Sequence, residues 1–332
     1  MKRVAVIGGG NWGTALSIIL SRQGHPVRLW AYEKEVVESI NQRHENCLFL
    51  EGFKTPEALM ASSSFDEVLA GAEIVIGVMP SHHARRLYQQ MLPHLRGEMI
   101  FISATKGLEE DSLMRMSEVF RDVVGKESGV RFAVLSGPTF AKEIARGDPA
   151  AVVIASEYDP AAQLVQREFS SRQFRLYRNS DVVGVELGGS VKNVIAIAAG
   201  VCEGLGLGSN SIAALITRGL AELTRLVLAQ GGKKETMAGL AGLGDLVLTC
   251  TGALSRNRTL GEELGKGKKL AEIVSGMRMV AEGVRTTVAA VALARKHQVE
   301  MPIVDQMHAM LYEERTPTDA IHQLMDRSLK QE

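Results

Sequence analysis

The feature that most constrains this chain is a glycine-rich hexapeptide at residues 8–13, which fits the pattern G-x-G-x-x-G. It directly follows an apolar run, Val4–Ile7, and precedes a segment with helical spacing. Gly8 permits a tight turn, Gly10 lets the backbone approach a pyrophosphate, and Gly13 lets the helix pack closely on the strand. The N–H groups at the helix N-terminus favour phosphate groups. This hexapeptide therefore predicts a dinucleotide-binding turn.

The first half of the chain alternates short β-branched runs with helix-like segments. The runs are Val4–Ile7, Val27–Trp30, Ile74–Val78, Ile100–Ile102, Ala133–Leu135 and Ala151–Ile154, and the clearest helical stretches are Thr14–Arg22, His83–Leu95 and Leu113–Val124. Buried strands separated by helices predict a doubly wound, mostly parallel sheet with both faces covered. After about residue 180 only helix-like segments follow. We therefore expect an α/β fold, with a Rossmann-like domain over residues 1–180 and an all-helical domain over residues 181–332.

Charge and cysteine content exclude several classes of protein. Lys plus Arg equals Asp plus Glu, at 38 each in 332 residues, so no global field attracts nucleic acid or an anionic membrane. The three cysteines are Cys47, Cys202 and Cys250, and their spacing matches neither a disulfide framework nor a zinc site. The apolar neighbours of Cys202 and Cys250 favour core packing. We expect no metal and a reducing compartment.

Neither a leader nor a membrane span is expected. The residues before the first strand are too few for a signal peptide. The longest membrane candidate, 212–229, is interrupted by Arg218, Glu222 and Arg225, which is typical of a packed helix. These observations predict a soluble, cytoplasmic protein.

Two loops that follow predicted strands carry polar residues suited to ligand binding. Lys106 lies after the fourth run, and Gly137 and Thr139 lie after the fifth. Ligands of open parallel sheets bind beyond the carboxyl ends of the strands. Lys106 could serve a substrate phosphate or carbonyl, or it could be a solvated surface lysine. The adjacent His82 and His83 are better explained as a helix start than as metal ligands.

Lys192 lies inside a glycine-rich, apolar helical segment, where burial requires a partner or a task. Desolvation lowers the pKa of a lysine and suits it to proton exchange near neutral pH. Reduction of a carbonyl needs a hydride and a proton, and Lys192 could donate that proton. The alternative is a lysine that extends its amine from a helix edge into water.

A third segment, Ser255–Arg256–Asn257, follows Asp245 and opens a helix that runs through Leu264. A serine N-cap, free N–H groups and a guanidinium together form an anion pocket, although an ordinary capped helix is the alternative. A dinucleotide turn, a buried lysine and an anion pocket together favour reduction of a phosphorylated carbonyl compound.

Seven segments in order along nearly the whole chain resemble the bacterial NAD(P)-dependent glycerol-3-phosphate dehydrogenases. They are residues 8–13, 105–109, 135–141, 191–193, 242–246, 255–258 and 280–283. The resemblance implies interconversion of dihydroxyacetone phosphate and sn-glycerol 3-phosphate with NAD(P)H, which supplies phospholipid synthesis. It also implies a helical C-terminal domain like that of the 6-phosphogluconate dehydrogenases.

The resemblance assigns roles to individual residues, with Lys192 as the catalytic proton donor and acceptor. The residues implied to contact substrate are Lys106, Gly137, Thr139, Lys192, Asp245, Ser255, Arg256 and Asn257. Those implied to contact the cofactor are Gly8, Gly10, Asn11, Trp12, Gly13, Tyr32, Lys106, Ala141, Arg256, Val280 and Glu282.

Two positions depart from the usual pattern of these enzymes. Asn11 replaces a serine or alanine, and Tyr32 followed by Glu33 replaces a frequent arginine that would meet a 2′-phosphate. The sequence therefore leaves the choice between NADH and NADPH open.

Two other functions compete with this interpretation. A β-hydroxyacid or 6-phosphogluconate-type dehydrogenase would share the architecture and the helix-borne lysine. A non-catalytic dinucleotide sensor would need only the first domain. The apolar helices of the second domain lead us to expect a homodimer.

Overall fold

The computed structural model describes residues 1–277 and 281–329, which form two compact units. The N-terminal unit comprises Met1–Glu109 and Met114–Glu186. The C-terminal unit comprises Glu110–Leu113 and the described residues from Leu187 onward.

The N-terminal unit is built on one eight-stranded sheet. Its strands are β1 (Val4–Ile7), β2 (Val27–Trp30), β3 (Met60–Ser62), β4 (Ile74–Gly77), β5 (Ile100–Ser103), β6 (Arg131–Ser136), β7 (Ala150–Ala155) and β8 (Phe174–Asn179). Their order is β3-β2-β1-β4-β5-β6-β7-β8, and every neighbouring pair is parallel except β6 and β7. The expected mostly parallel, doubly wound sheet is confirmed.

Seven helices belong to this unit. They are α1 (Asn11–Arg22), α2 (Lys34–Arg43), α3 (Phe65–Leu69), α4 (Ser81–Met91), α5 (Met116–Val124), α6 (Ala141–Arg146) and α7 (Asp159–Phe169). They cover both faces of the sheet. Neighbouring residues of a strand point to opposite faces, so each face has its own apolar core. On β1, Val4 and Val6 join the core beneath α1, α2, α6 and α7, whereas Ala5 and Ile7 join the core beneath α3, α4 and α5.

The structure corrects some predicted bounds. The predicted helix Leu113–Val124 begins only at Met116, because Leu113 has a left-handed φ of 60° that a right-handed helix excludes. The predicted helix 83–95 begins earlier, at Ser81, and ends at Met91 with a short 3₁₀ turn after it. His82 and His83 thus lie in the first turn of α4, as predicted.

Strands β3 and β8 were not predicted. β3 has only three residues and exposes Met60, while β8 is an edge strand in which the exposed Arg175 and Tyr177 alternate with the buried Phe174 and Leu176. Neither strand contains the continuous apolar run that identified the others.

The strand order reverses at β1 and β4, which are neighbours in the sheet. β2 and β3 extend from β1 on one side, while β5 and the later strands extend from β4 on the other. Open α/β sheets bind ligands in the crevice at such a point, beyond the carboxyl ends of the strands. The turn at residues 8–13 begins directly at the end of β1.

The C-terminal unit is helical within its described residues. Its helices are α8 (Val182–Gly204, which starts before the boundary), α9 (Ser209–Ala229), α10 (Lys234–Met237), α11 (Asp245–Thr251), α12 (Arg256–Gly265), α13 (Leu270–Ser275), α14 (Glu282–Lys296), α15 (Pro302–Tyr312) and α16 (Pro317–Met325). α8 is long and apolar enough to cross a membrane, but 94% of its most apolar window is buried inside the protein. Such burial is typical of a core helix.

A buried carboxylate joins two of these helices. Glu222 lies in α9, and its carboxylate accepts the N–H groups of Ile303 at 2.9 Å and Val304 at 3.4 Å. These groups belong to the first turn of α15, where N–H groups have no partner within the helix. Burial raises the pKa of Glu222 to about 7, although the two N–H groups oppose that change.

This raised pKa predicts that the C-terminal unit loses stability as pH rises from 4.5 towards 7. The folded state then holds a proton that the unfolded chain has released, so the free energy of unfolding falls by at most about 1.4 kcal/mol per pH unit. Glu222→Gln removes this titration. Urea midpoints of the two proteins should be compared between pH 5 and 8. The midpoint of the parent should fall relative to that of the variant up to pH 7, and the difference should then stay constant. Glu235→Gln, at an exposed position, should follow the parent, and a constant difference for Glu222→Gln would contradict the prediction.

Candidate active site

The glycine turn has the geometry that its sequence predicts. Gly8 has a φ of +130°, and a Cβ there would lie 2.4 Å from the Val78 carbonyl oxygen. A Cβ on Gly13 would lie 1.9 Å from the Gly8 oxygen, so only glycine allows α1 to approach the turn this closely. Gly10 is the N-cap of α1, and within residues 1–277 and 281–329 no atom other than those of its chain neighbours lies within 4 Å of its Cβ position. The open side of the turn therefore lies at the N-terminus of α1.

The side chains around this turn suit a dinucleotide. Asn11 begins α1 and its Oδ1 accepts the Trp12 N–H at 2.8 Å. Trp12 packs against the sheet core, and its buried Nε1 has no hydrogen-bond partner within residues 1–277 and 281–329. A buried donor without a partner is available to a bound ligand. Tyr32, just after β2, is 74% exposed.

Two strand-end loops of the N-terminal unit meet at one carbonyl group. The Gly137 oxygen accepts Lys106 Nζ at 3.0 Å and Thr139 Oγ1 at 3.2 Å. Gly137 has a φ of +138°, and its Cβ position lies 3.1 Å from Val152 Cα. Lys106, Gly137 and Thr139 are therefore brought together. Ala141 is buried in the first turn of α6.

Lys192 is buried in α8, with 4% of its surface exposed. Its Nζ lies 2.6 Å from Oδ1 of Asp245, which begins α11 and is 1% exposed. Nζ also donates to the Thr249 hydroxyl. An isolated ammonium is strongly disfavoured in the interior, whereas a carboxylate and a hydroxyl together satisfy it. A lysine that reaches from a helix edge into water does not fit this burial.

Thr249 was missed by the sequence analysis. It lies four residues after Asp245 in α11, so both side chains project from one helix face. Its hydroxyl donates to the Asp245 backbone oxygen at 2.6 Å. This i, i+4 spacing was visible in the sequence, but only the contact with Lys192 shows that Thr249 belongs to the same buried cluster.

The predicted anion pocket begins at the N-terminus of α12. Ser255 is the N-cap, and its hydroxyl accepts the Arg258 N–H at 3.3 Å. Burial lowers the pKa of the Arg256 guanidinium, and the negative charge of Glu282, in the first turn of α14, opposes this change. Asn257 Oδ1 accepts the Gly283 N–H at 2.9 Å. Val280, which was also predicted to contact the cofactor, lies outside the described residues.

Four glycines determine how closely α8 and α12 approach each other. The Cβ positions of Gly200 and Gly204 would lie 1.9 Å from the Arg258 oxygen and 2.2 Å from the Glu262 oxygen. Those of Gly261 and Gly265 would lie 1.9 Å and 2.5 Å from backbone oxygens of α8. The helix that carries Lys192 therefore packs backbone to backbone on the helix that begins with Arg256.

The thiol of Cys250 is buried and that of Cys202 is half-buried. Burial raises the pKa of Cys250 to about 12 and also raises the pKa of Cys202. Neither is a thiolate at neutral pH, so neither is an activated nucleophile. Within residues 1–277 and 281–329, no three His, Cys, Asp or Glu side chains are grouped so that they could hold a metal ion.

A doubly wound sheet with a dinucleotide turn, together with a buried lysine–aspartate pair, defines a class of protein, the nicotinamide-dinucleotide-dependent dehydrogenases. The comparisons with known proteins specify the family. Residues 3–162 match the model for the N-terminus of NAD-dependent glycerol-3-phosphate dehydrogenase, and residues 181–322 match the model for its C-terminus. The chain belongs to this family.

Individual relatives match this chain over nearly their full lengths. The chain is 63% identical over 329 residues to glycerol-3-phosphate dehydrogenase (NAD(P)+) of Koribacter versatilis, covering 98% of each chain. It is 53% identical to the protein of that name from Syntrophotalea carbinolica, covering 99% of each. The crystal structure of glycerol-3-phosphate dehydrogenase from Coxiella burnetii is 41% identical, with a TM-score of 0.94 over 98% of this chain and 99% of that one. The predicted resemblance is confirmed.

The close approach of α8 and α12 predicts that Gly261→Ala destabilises the C-terminal unit. Alanine gains about 1 kcal/mol of helix propensity, but its Cβ would lie 1.9 Å from the Ile197 oxygen, and overpacking typically costs about 1–3 kcal/mol. Because the clash is with backbone, we expect a net loss, measured as a lower urea midpoint.

Gly208→Ala, at the N-cap of α9, is the control, because among the described residues no atom outside its own chain neighbours lies within 4 Å of its Cβ position and its φ is −78°. It should lose only the modest preference of an N-cap for glycine over alanine, so its urea midpoint should stay above that of Gly261→Ala. A Gly261→Ala protein as stable as the parent would show that the two helices can separate without penalty.

Proposed function

We propose that this protein catalyses the reversible reduction of dihydroxyacetone phosphate to sn-glycerol 3-phosphate with NAD(P)H. The observation that carries the proposal is the buried Lys192–Asp245 pair, in a chain of the glycerol-3-phosphate dehydrogenase family. The relatives that cover the whole chain are named for this activity. The product is the backbone for phospholipid synthesis.

The reaction adds a hydride to the carbonyl carbon and a proton to its oxygen. When bound, the reduced nicotinamide supplies the hydride. The Lys192 ammonium donates the proton, and in the reverse direction the neutral amine accepts it from the substrate hydroxyl. Asp245 and Thr249 hold Nζ in one position, which restricts the long lysine side chain before substrate arrives. Asp245 also stabilises the ammonium by its negative charge.

We assign the substrate phosphate to the N-terminus of α12. The guanidinium of Arg256 remains charged at neutral pH and can bind phosphate oxygens through two N–H groups at once. The helix N-terminus adds N–H donors, and Ser255 and Asn257 already have partners that order this turn. Lys106, Gly137 and Thr139 are further proposed contacts of the substrate.

We assign the dinucleotide to the turn at residues 8–13, with its pyrophosphate at the N-terminus of α1. The remaining proposed contacts are Tyr32, Lys106, Ala141, Arg256, Val280 and Glu282. Residues 1–180 would then form the dinucleotide-binding domain, and residues 181–332 the substrate-binding domain.

A cytoplasmic location and a homodimer complete the proposal. Three cysteines that form no disulfide and a dissolved small-molecule substrate favour the cytoplasm. Leu228, Leu243, Val247 and Leu254 are partly exposed apolar residues of the C-terminal unit that a second copy could cover. Light scattering coupled to gel filtration would distinguish a dimer from a monomer.

The end of β2 favours NADH over NADPH. Glu33 lies at the N-cap of α2, 20 residues beyond Gly13, where an acid can accept the ribose 2′-hydroxyl. The neighbouring cation, Lys34, lies between Glu33 and Glu35. A 2′-phosphate would therefore meet a carboxylate instead of the nearby arginine that accommodates it in NADP-dependent proteins.

Lys192→Met should lower kcat by at least ~100-fold, the size expected of lost general acid catalysis. The assay is the loss of nicotinamide absorbance with dihydroxyacetone phosphate. Lys126→Met, at an exposed turn, is the control and should match the parent. Turnover in Lys192→Met within threefold of the parent would remove Lys192 from the mechanism. A parent protein that binds NADH but does not reduce dihydroxyacetone phosphate would favour the alternative interpretation, a β-hydroxyacid dehydrogenase.

The parent should use NADH with a kcat/KM at least ~10-fold above that for NADPH, since like charges in contact disfavour the second cofactor. Glu33→Arg should reduce or reverse this ratio. Glu35→Arg changes the net charge equally, within the first turn of α2 and two residues beyond Glu33, and should leave most of the preference intact. Faster turnover of the parent with NADPH would refute the assignment of Glu33.

A further inference from the structure

Asn46 is completely buried, although it lies in the irregular segment that joins α2 to β3. Both the nitrogen and the oxygen of its side-chain amide form hydrogen bonds. Nδ2 donates to the Gly9 carbonyl oxygen at 2.7 Å and to Thr14 Oγ1 at 2.8 Å, while Oδ1 accepts the Phe49 N–H at 3.0 Å. Thr14 Oγ1 in turn lies 3.3 Å from the same Gly9 oxygen. A residue distant in sequence thus holds the middle of the glycine turn.

The carbonyl that Asn46 holds controls an N–H group that faces the opposite way. Gly9 and Gly10 share one peptide group, and in a planar trans peptide the C=O and the N–H point in opposite directions. Because Nδ2 fixes the Gly9 oxygen towards the interior, the Gly10 N–H is directed away from it. In the described part of the chain, the space beside Gly10 is open, with no atom other than those of its chain neighbours within 4 Å of its Cβ position.

The turn needs such a restraint. Residues 8–10 are three consecutive glycines, which reach many backbone conformations at little energetic cost. Rotation of the Gly9–Gly10 peptide would turn a carbonyl oxygen, instead of an N–H group, towards a bound phosphate. Hydrogen bonds from both Asn46 and Thr14 to one oxygen oppose that rotation.

We propose that Asn46 is a positioning residue for the dinucleotide, which orients the Gly9–Gly10 peptide so that the Gly10 N–H faces the pyrophosphate. The proposal rests on the dinucleotide binding of the proposed function and on no feature of the substrate. It therefore concerns the affinity for NADH, whichever carbonyl compound is reduced.

Asn46→Asp tests the orientation directly. The two side chains have nearly the same shape, but a carboxylate cannot donate to the Gly9 oxygen, whereas a protonated carboxyl can. The Kd for NADH, measured by nicotinamide fluorescence, should rise at least ~10-fold at pH 8 and return towards the parent value near pH 5.5, which corresponds to regaining about one hydrogen bond. At saturating NADH, kcat should stay within about threefold of the parent.

Asn41→Asp is the matched control. Its amide is bonded in both directions to the backbone of Ala61, at 2.8 Å and 2.9 Å, so the same chemical change removes the same kind of bond away from the turn. We expect no pH-dependent change in its Kd for NADH. Asn46→Ala is the second variant, with weakened NADH binding at every pH, and it carries the test if Asn46→Asp fails to fold.

Two results would overturn the proposal. One is a parent-like Kd in the folded Asn46 variants. The other is a loss that is independent of pH in Asn46→Asp and falls on kcat as much as on Kd, since that describes general damage to the fold. A parent that binds NADH but leaves dihydroxyacetone phosphate unreduced would contradict the proposed activity alone.

Discussion

The need of a buried ammonium for a negative partner organises the C-terminal unit. Lys192 is placed in the interior by α8, and Asp245 and Thr249 of α11 satisfy it. Such a pair tolerates little displacement, because removing one partner of a buried pair typically costs about 3–5 kcal/mol. The glycine contacts between α8 and α12 also limit displacement. They hold Arg256 and Asn257 on a helix that packs against the helix carrying Lys192. The position of Lys192, the proposed proton donor, is thus set by its buried side-chain partners and by backbone contacts between helices.

The N-terminal unit meets a different requirement of the proposed function, which is to present backbone N–H groups to the pyrophosphate. Glycine is required at residues 8 and 13 by backbone atoms that leave no room for a Cβ, yet the same residue type makes the turn conformationally free. Side-chain hydrogen bonds from Asn46 and Thr14 restore order without adding bulk. Lys106 and Thr139 similarly donate to the Gly137 carbonyl oxygen. In both loops, side-chain hydrogen bonds therefore fix the carbonyl group of a glycine.

Much of this could be predicted from the sequence. Six strands, the tight glycine turn at residues 8–13, the N-cap at Ser255 and the family were all predicted correctly, because each depends on residues close together in the chain. Strands β3 and β8 were missed, since a short strand and an edge strand lack a continuous apolar run. The antiparallel pairing of β6 with β7 carries no local pattern at all. Thr249 and Asn46 were missed because their importance depends on partners 57 and 37 residues away.

The sequence by itself determined the class of fold, the dinucleotide turn and the residue types available for acid catalysis and phosphate binding. These follow from local sterics and hydrophobic periodicity, which act over a few residues. Only the tertiary structure decided that Lys192 is buried against Asp245, that Arg256 begins a helix packed on α8, and that Asn46 reaches the glycine turn. Those contacts join segments that are far apart in the chain. They form because burial leaves each polar group only the partners that the fold brings to it.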